Sequence, residues 1–177
     1  MAEIEIPDTM LALRLKGVGM DQVVLEEVPV PRPEADQVLC RVEAVAACSS
    51  DNKIIDQGAE HSLMYGWDTS KWPVILGHEG CVRAVEVGER WQETIQVGAR
   101  YAVQPAIPAG PTRHRERYRD QAQGINKVAI GYTLPGLYAE YVLIDPEVIE
   151  THCLVPVPYE GLAHYQAALS EPISCVV

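Results

Sequence analysis

Cys48, the adjacent pair His78-Glu79, and Glu171 carry side-chain types that can hold a catalytic metal: a thiol, an imidazole and two carboxyls, each in a short polar island between apolar runs. Zinc accepts thiolate, neutral imidazole and carboxylate oxygen in tetrahedral geometry, and a mixed set of this kind leaves one position for water or a substrate oxygen. No CxxC or HExxH pair is present, so spacing alone does not separate a metal centre from unrelated core and turn residues. Glu79 and Glu171 could both bind, or one could bind while the other holds the metal's water. Cys175 lies four residues beyond Glu171 and would share its face on a continuous helix, which makes it a rival ligand.

Two neighbours of Cys48 bear on the same chemistry. Asp51, three residues on, suits the second ring N–H of His78, a contact that would fix the imidazole tautomer. Ser50 and Asp51 also suit plain helix capping.

The elements that must position these residues are mostly strands. Met10 to Lys16 and Gln22 to Val28 read as a hairpin around Gly17-Val18-Gly19, and residues 37 to 47 alternate Val38, Cys40, Val42 and Ala44 against Arg41 and Glu43. Ser49-Ser50-Asp51 opens a short helix that Gly58 closes near Gln57. Further strands are expected at 73–76, 80–87, 99–104 and 137–144. Many short strands and few helices predict a mainly β fold, a partly open β-barrel. A helix is expected over 161–177, interrupted or bent near Pro172.

Two stretches break this rhythm. Residues 59 to 72 read as a polar surface loop over the site mouth. Residues 105 to 135 read as a long loop carrying the basic run Arg113-His114-Arg115-Glu116-Arg117-Tyr118-Arg119. That run is either a mobile, solvated charge cluster or a grip for a substrate phosphate.

Composition excludes several classes of function. At 177 residues and 47% apolar content the chain can bury a sizeable core without disulfides. A net charge of −11 argues against nucleic acid or an anionic membrane as partner. The N-terminus has neither a basic nor an apolar signal region, and the 5 cysteines show no disulfide spacing, which together predict a cytoplasmic protein. Gly17-Val18-Gly19 lacks a third glycine and sits in a hairpin, so it is not a nucleotide-binding turn.

Ala47-Cys48-Ser49-Ser50-Asp51, Leu76-Gly77-His78-Glu79-Gly80 and Ser170-Glu171-Pro172 resemble the three zinc-site signatures of the medium-chain, zinc-dependent alcohol and polyol dehydrogenases. The stretches 54–61, 87–92 and 171–176 are most similar to the sorbitol-dehydrogenase-like members and the L-sorbose 1-phosphate reductases. The resemblance implies a GroES-like catalytic domain over 1–177, leading toward a nucleotide-binding Rossmann domain that is absent. It implies zinc held by Cys48, His78, Glu79 and Glu171, with NAD or NADP bound by the absent domain. Ser50 would hydrogen-bond the substrate oxygen and take its proton.

Lys53 departs from the family, many members of which carry a relay histidine there. Many relatives also carry a four-cysteine lobe between positions matching Cys81 and Cys153, where this chain has no cysteine, so no structural zinc is expected. The substrate expected is a small alcohol, polyol or sugar phosphate, and the full-length enzyme is expected to be a homo-oligomer. A stand-alone zinc-binding module without redox activity and a zinc-free reductase are the competing readings. The joint presence of Cys48, His78 and Glu79 argues against the second of these.

Overall fold

A computed structural model of the chain describes residues 5–158 and 161–176. Strands β1 (Thr9–Leu15) and β2 (Val23–Pro29) form the expected hairpin, and β1 also pairs with the short β4 (Val74–Ile75). β3 (Val38–Ala46) is followed by helix α1 (Ser49–Gln57). β5 (Glu79–Val87) and β6 (Arg100–Val103) come next, and β7 (Ala106–Ile107) pairs with β8 (Val128–Ala129). The chain continues through β9 (Tyr141–Ile144), α2 (Pro146–Glu150), β10 (Leu154–Pro156), α3 (His164–Ala168) and α4 (Ser170–Ser174).

The main sheet runs β10-β6-β5-β3-β9 and is antiparallel throughout. It stands beside the β2-β1-β4 sheet without closing into one barrel, the two being joined by a bridge from Ala12 to Ala139. The β3/β5 register matters most for chemistry. It pairs Ala46 with Glu79, so the turn after β3 and the turn before β5 meet at one end of the sheet. Two irregularities in that register, at Leu39/Cys40 and Val42/Ala44, add twist to the pair.

One apolar cluster packs Val38, Val82, Val103, Ile107, Ile130, Leu137 and Ile144 together, and a second gathers Leu15, Ile54, Met64, Trp67, Leu76, Tyr118 and Tyr132. Residues 59–72 are therefore not the polar surface loop expected. Met64 and Trp67 are 0% and 3% exposed, because a few large apolar side chains outweigh many small polar ones in buried area. The 105–135 loop is held by its own packing against the first cluster and by the unforeseen β7/β8 pair.

The strand expected over 137–144 begins only at Tyr141. Before it, the backbone at Tyr138 and Glu140 bonds to β1 instead. The C-terminal helix is two short helices broken at Leu169, with Pro172 in the first turn of α4, where a missing N–H costs little. Val177, the last residue of the helix expected there, lies outside the described residues. No described helix is long and apolar enough to cross a membrane.

Candidate functional site

Cys48 occupies the N-cap of α1 in extended geometry, and its N–H donates to Asp51 Oδ2 at 3.1 Å. Cys48 itself is thus the cap residue, not one of the following serines, and Asp51 folds back toward it. His78 follows Gly77, whose φ of 89° lies in the left-handed region that glycine tolerates, and Gly77 O accepts from Leu137 N at 2.9 Å. Glu79 opens β5 opposite Ala46. Ligand atoms of Cys48, His78 and Glu79 come within 4.8 Å of one another. Tetrahedral zinc places neighbouring donor atoms roughly 3.3–3.8 Å apart, so these three fit the ion with a small inward movement.

The imidazole lies between two carboxylates. His78 Nδ1 is 3.3 Å from Asp51 Oδ1, and His78 Nε2 is 4.0 Å from Glu79 Oε1. Neither Nδ1 nor Oδ1 has a well-aligned hydrogen bond among the described residues, so their contact is chiefly electrostatic. Burial pushes the Asp51 carboxyl up, yet His78, Tyr138 and the Cys48 N–H together hold it below its ordinary value. Burial works against a charged His78, and Asp51, Glu79 and Glu171 outweigh it and raise its pKa. Facing Nδ1 toward Asp51 leaves Nε2 on the side of Glu79, as a metal-binding histidine requires.

Glu171, in the first turn of α4, does not belong to the three-residue cluster, although its carboxyl adjoins Glu79. Burial, followed by the hydrogen bond and like charge of Glu79, raises the pKa of Glu171. Two carboxylates crowded beside a thiol and an imidazole make a site whose negative potential a cation relieves. Cys175 is exposed at the end of α4 and lies outside the cluster.

Ser50 is half-buried beside Tyr132, whose phenol pKa is raised by burial and partly lowered again by the Ser50 hydroxyl. The Tyr132 ring lies 5.7 Å from that of His78 and 5.3 Å from that of His61. Lys53 is exposed on α1 and close enough to His61 to help burial lower its pKa. Tyr132 and Tyr138 had no motif to announce them, their only sequence signal being polar-tipped rings among apolar neighbours, whereas His61 closes the family-like stretch 54–61 without any role being read for it.

The side chains of the basic run make contacts with several other parts of the chain. Arg113 pairs with Glu34 and Asp36, Arg115 donates to Gln121 O, Arg117 lies over Trp67, and Arg119 faces Glu60. A cavity of about 180 Å³ beside Glu171 is lined also by Gln104, Val155, Ser170 and Ser174. A roomier cavity of about 470 Å³, around Arg83, Arg100 and His164, contains none of the candidate ligands.

Comparison with known proteins bears on the family of the chain. Residues 34–158 match the model of the alcohol dehydrogenase GroES-like domain. The chain is 33% identical over 173 residues to L-sorbose 1-phosphate reductase of Klebsiella pneumoniae, covering 96% of this chain and 37% of that protein. It is 28% identical over 159 residues to mannitol-1-phosphate 5-dehydrogenase of Aliivibrio fischeri, covering 90% and 34%. A Sinorhizobium meliloti 1021 structure, described as a zinc-binding dehydrogenase bound to NADP, superposes with a TM-score of 0.66 at 30% identity, covering 96% of this chain and 44% of that one. The chain thus spans well under half the length of each of these three proteins. With its described strands, its ligand cluster and this match in agreement, the chain belongs to the alcohol dehydrogenase GroES-like domain family.

Proposed function

We propose that this chain is the zinc-holding, substrate-facing part of an NAD- or NADP-dependent dehydrogenase that acts on a polyol or sugar phosphate. The observation that carries this reading is the convergence of Cys48, His78 and Glu79 within 4.8 Å, drawn from the ends of β3 and β5. Cys48, His78 and Glu79 would hold the ion, with Glu171 against Glu79 as a fourth carboxylate donor or as the group that orients water. When bound, zinc supplies Lewis-acid stabilisation of negative charge on the substrate oxygen, and the nicotinamide supplies the hydride carrier.

The chain's own residues do the positioning. Asp51 keeps Nδ1–H of His78 on its own side and frees Nε2. Ser50, beside Tyr132, would be the hydroxyl that takes the proton of the substrate alcohol. Lys53 stands on α1 where related enzymes carry a relay histidine, so the proton leaves Ser50 by another route. Residues 1–177 form one catalytic unit in this reading, and a Rossmann domain outside them holds the dinucleotide. The full-length enzyme is a homo-oligomer of the reducing cytoplasm, which suits 5 free cysteines. The relatives named for sugar phosphates support the substrate class.

Metal analysis is expected to find close to one zinc per chain. Cys48→Ser and His78→Ala should abolish stoichiometric binding, while Glu171→Gln should weaken it by about tenfold. Two zincs per chain, or none after zinc-replete growth, would overturn the reading. Residues 1–177 alone should show no turnover with any nicotinamide, since nothing among the described residues builds a dinucleotide site. Cofactor-dependent polyol oxidation by residues 1–177 would refute that division of labour.

A further inference from the structure

Tyr138 touches every segment that converges on the ligand cluster. Its phenol donates to Asp51 Oδ2 at 2.7 Å and lies 3.3 Å from Ala46 O, two residues before Cys48. Its backbone N–H donates to Leu76 O at 2.9 Å, and its carbonyl accepts from Leu13 N at 2.7 Å. Its ring covers Gly77, the residue before His78, so closely that a Cβ there would come within 2.7 Å of it. The residue is therefore fixed at both ends, by backbone bonds to β1 and to the His78 turn.

The hydrogen bonds at Asp51 set the consequence. Oδ2 receives both the Tyr138 phenol, at 2.7 Å, and the Cys48 N–H, at 3.1 Å. That leaves Oδ1 to face His78 Nδ1, at 3.3 Å. A carboxylate held by only one donor can rotate about its Cβ–Cγ bond, whereas two donors on one oxygen fix which oxygen meets the imidazole. We infer that Tyr138 is a positioning residue of the metal centre, orienting Asp51 and through it His78. This inference rests on the reading that Cys48, His78 and Glu79 hold zinc.

The experiment measures zinc affinity of the full-length protein by competition with a chromogenic chelator. Tyr138→Phe keeps the ring on Gly77 and removes one hydroxyl. It should weaken zinc by about tenfold, the lower end of the loss seen when outer partners of metal ligands are removed. Asp51→Asn should weaken it at least as much, and Tyr138→Phe added to Asp51→Asn should cost nothing more, because one acts through the other. The thermal midpoint of each metal-free variant checks that the loss is not unfolding. In the unaltered protein, the Tyr138 hydroxyl proton resonance should move on zinc addition, a readout that needs no variant.

Tyr138→Phe with zinc affinity within twofold of the parent would overturn the inference. So would a full additional loss in the Asp51→Asn background, or a hydroxyl resonance indifferent to zinc. A parent that binds no zinc overturns the metal reading itself. A parent that binds zinc while Tyr138→Phe changes nothing overturns only the role of Tyr138.

Discussion

Arg113 Nη2 donates to Asp36 Oδ1 at 2.6 Å across a sequence separation of 77 residues, and the same nitrogen reaches Glu34 Oε2 at 2.9 Å. Its Nε lies 3.9 Å from Asp145 Oδ1, just before α2. Thr112 adds bonds from its N–H and hydroxyl to the Glu147 carboxylate at 3.1 and 2.6 Å. The first part of the 105–135 loop is thus clamped between the segment before β3 and α2. Arg113 is committed to structure and is not available to grip a substrate.

Arg113→Ala should lower stability by about 2 kcal/mol. This is less than the 3–5 kcal/mol roughly expected when a buried pair is broken, since Glu34 is 74% exposed and Asp36 34%, and water screens part of the network. For a chain of this size that corresponds to a fall of roughly 4–8 °C in thermal midpoint. The deficit should shrink in high salt. An unchanged midpoint at low salt would contradict the clamp.

Asp145 gives stability a pH dependence of defined sign. Burial pushes its carboxyl up to about 6; the Gln37 amide, which donates at 2.6 Å, opposes this, Glu147 adds to it, and Arg113 lowers it again. Between its ordinary value near 3.8 and about 6, the folded state holds more protons than the unfolded state, so stability falls as pH rises through that window. The loss is complete above about 6 and amounts to at most about 3 kcal/mol. Asp145→Asn should therefore be at least as stable as the parent at pH 7, with the difference gone near pH 4. Denaturant melts at both pH values check this, and a variant less stable at pH 7 than at pH 4 relative to the parent would contradict it.

Gly136 sits where no side chain fits. A Cβ there would lie 2.1 Å from Ile75 O and 2.3 Å from Leu76 O, both backbone atoms that cannot yield as a flexible side chain would. The next two residues bond to the same segment, Leu137 N to Gly77 O and Tyr138 N to Leu76 O, both at 2.9 Å. Gly136→Ala should push this segment away from the His78 turn. The expected result is a stability loss of about 2–4 kcal/mol together with weaker zinc binding. Chemical denaturation and metal analysis on the same samples would show whether the two losses occur together.

What the sequence determined by itself is what neighbours within a few residues decide. Alternating Val38, Cys40 and Val42 made β3 legible, and Gly17-Val18-Gly19 marked the β1/β2 turn. The polar start at Ser49 and the stop at Gly58 bounded α1 at Ser49–Gln57. The ligand types at 48, 78 and 79 were likewise readable from their own islands. Their meeting was implied only by the family resemblance and by no local pattern, because it depends on the β3/β5 register that sets Ala46 opposite Glu79, with two irregularities along the way. Tyr138 escaped the sequence for the same reason: its partner Asp51 is 87 residues away, and periodicity and capping carry information over only about four residues. The segment 59–72 shows the reverse error, since a mostly polar composition hid Met64 and Trp67, whose burial only the packed second cluster reveals. Local propensities settle elements, whereas register, turn geometry and close packing settle which of their side chains share a site.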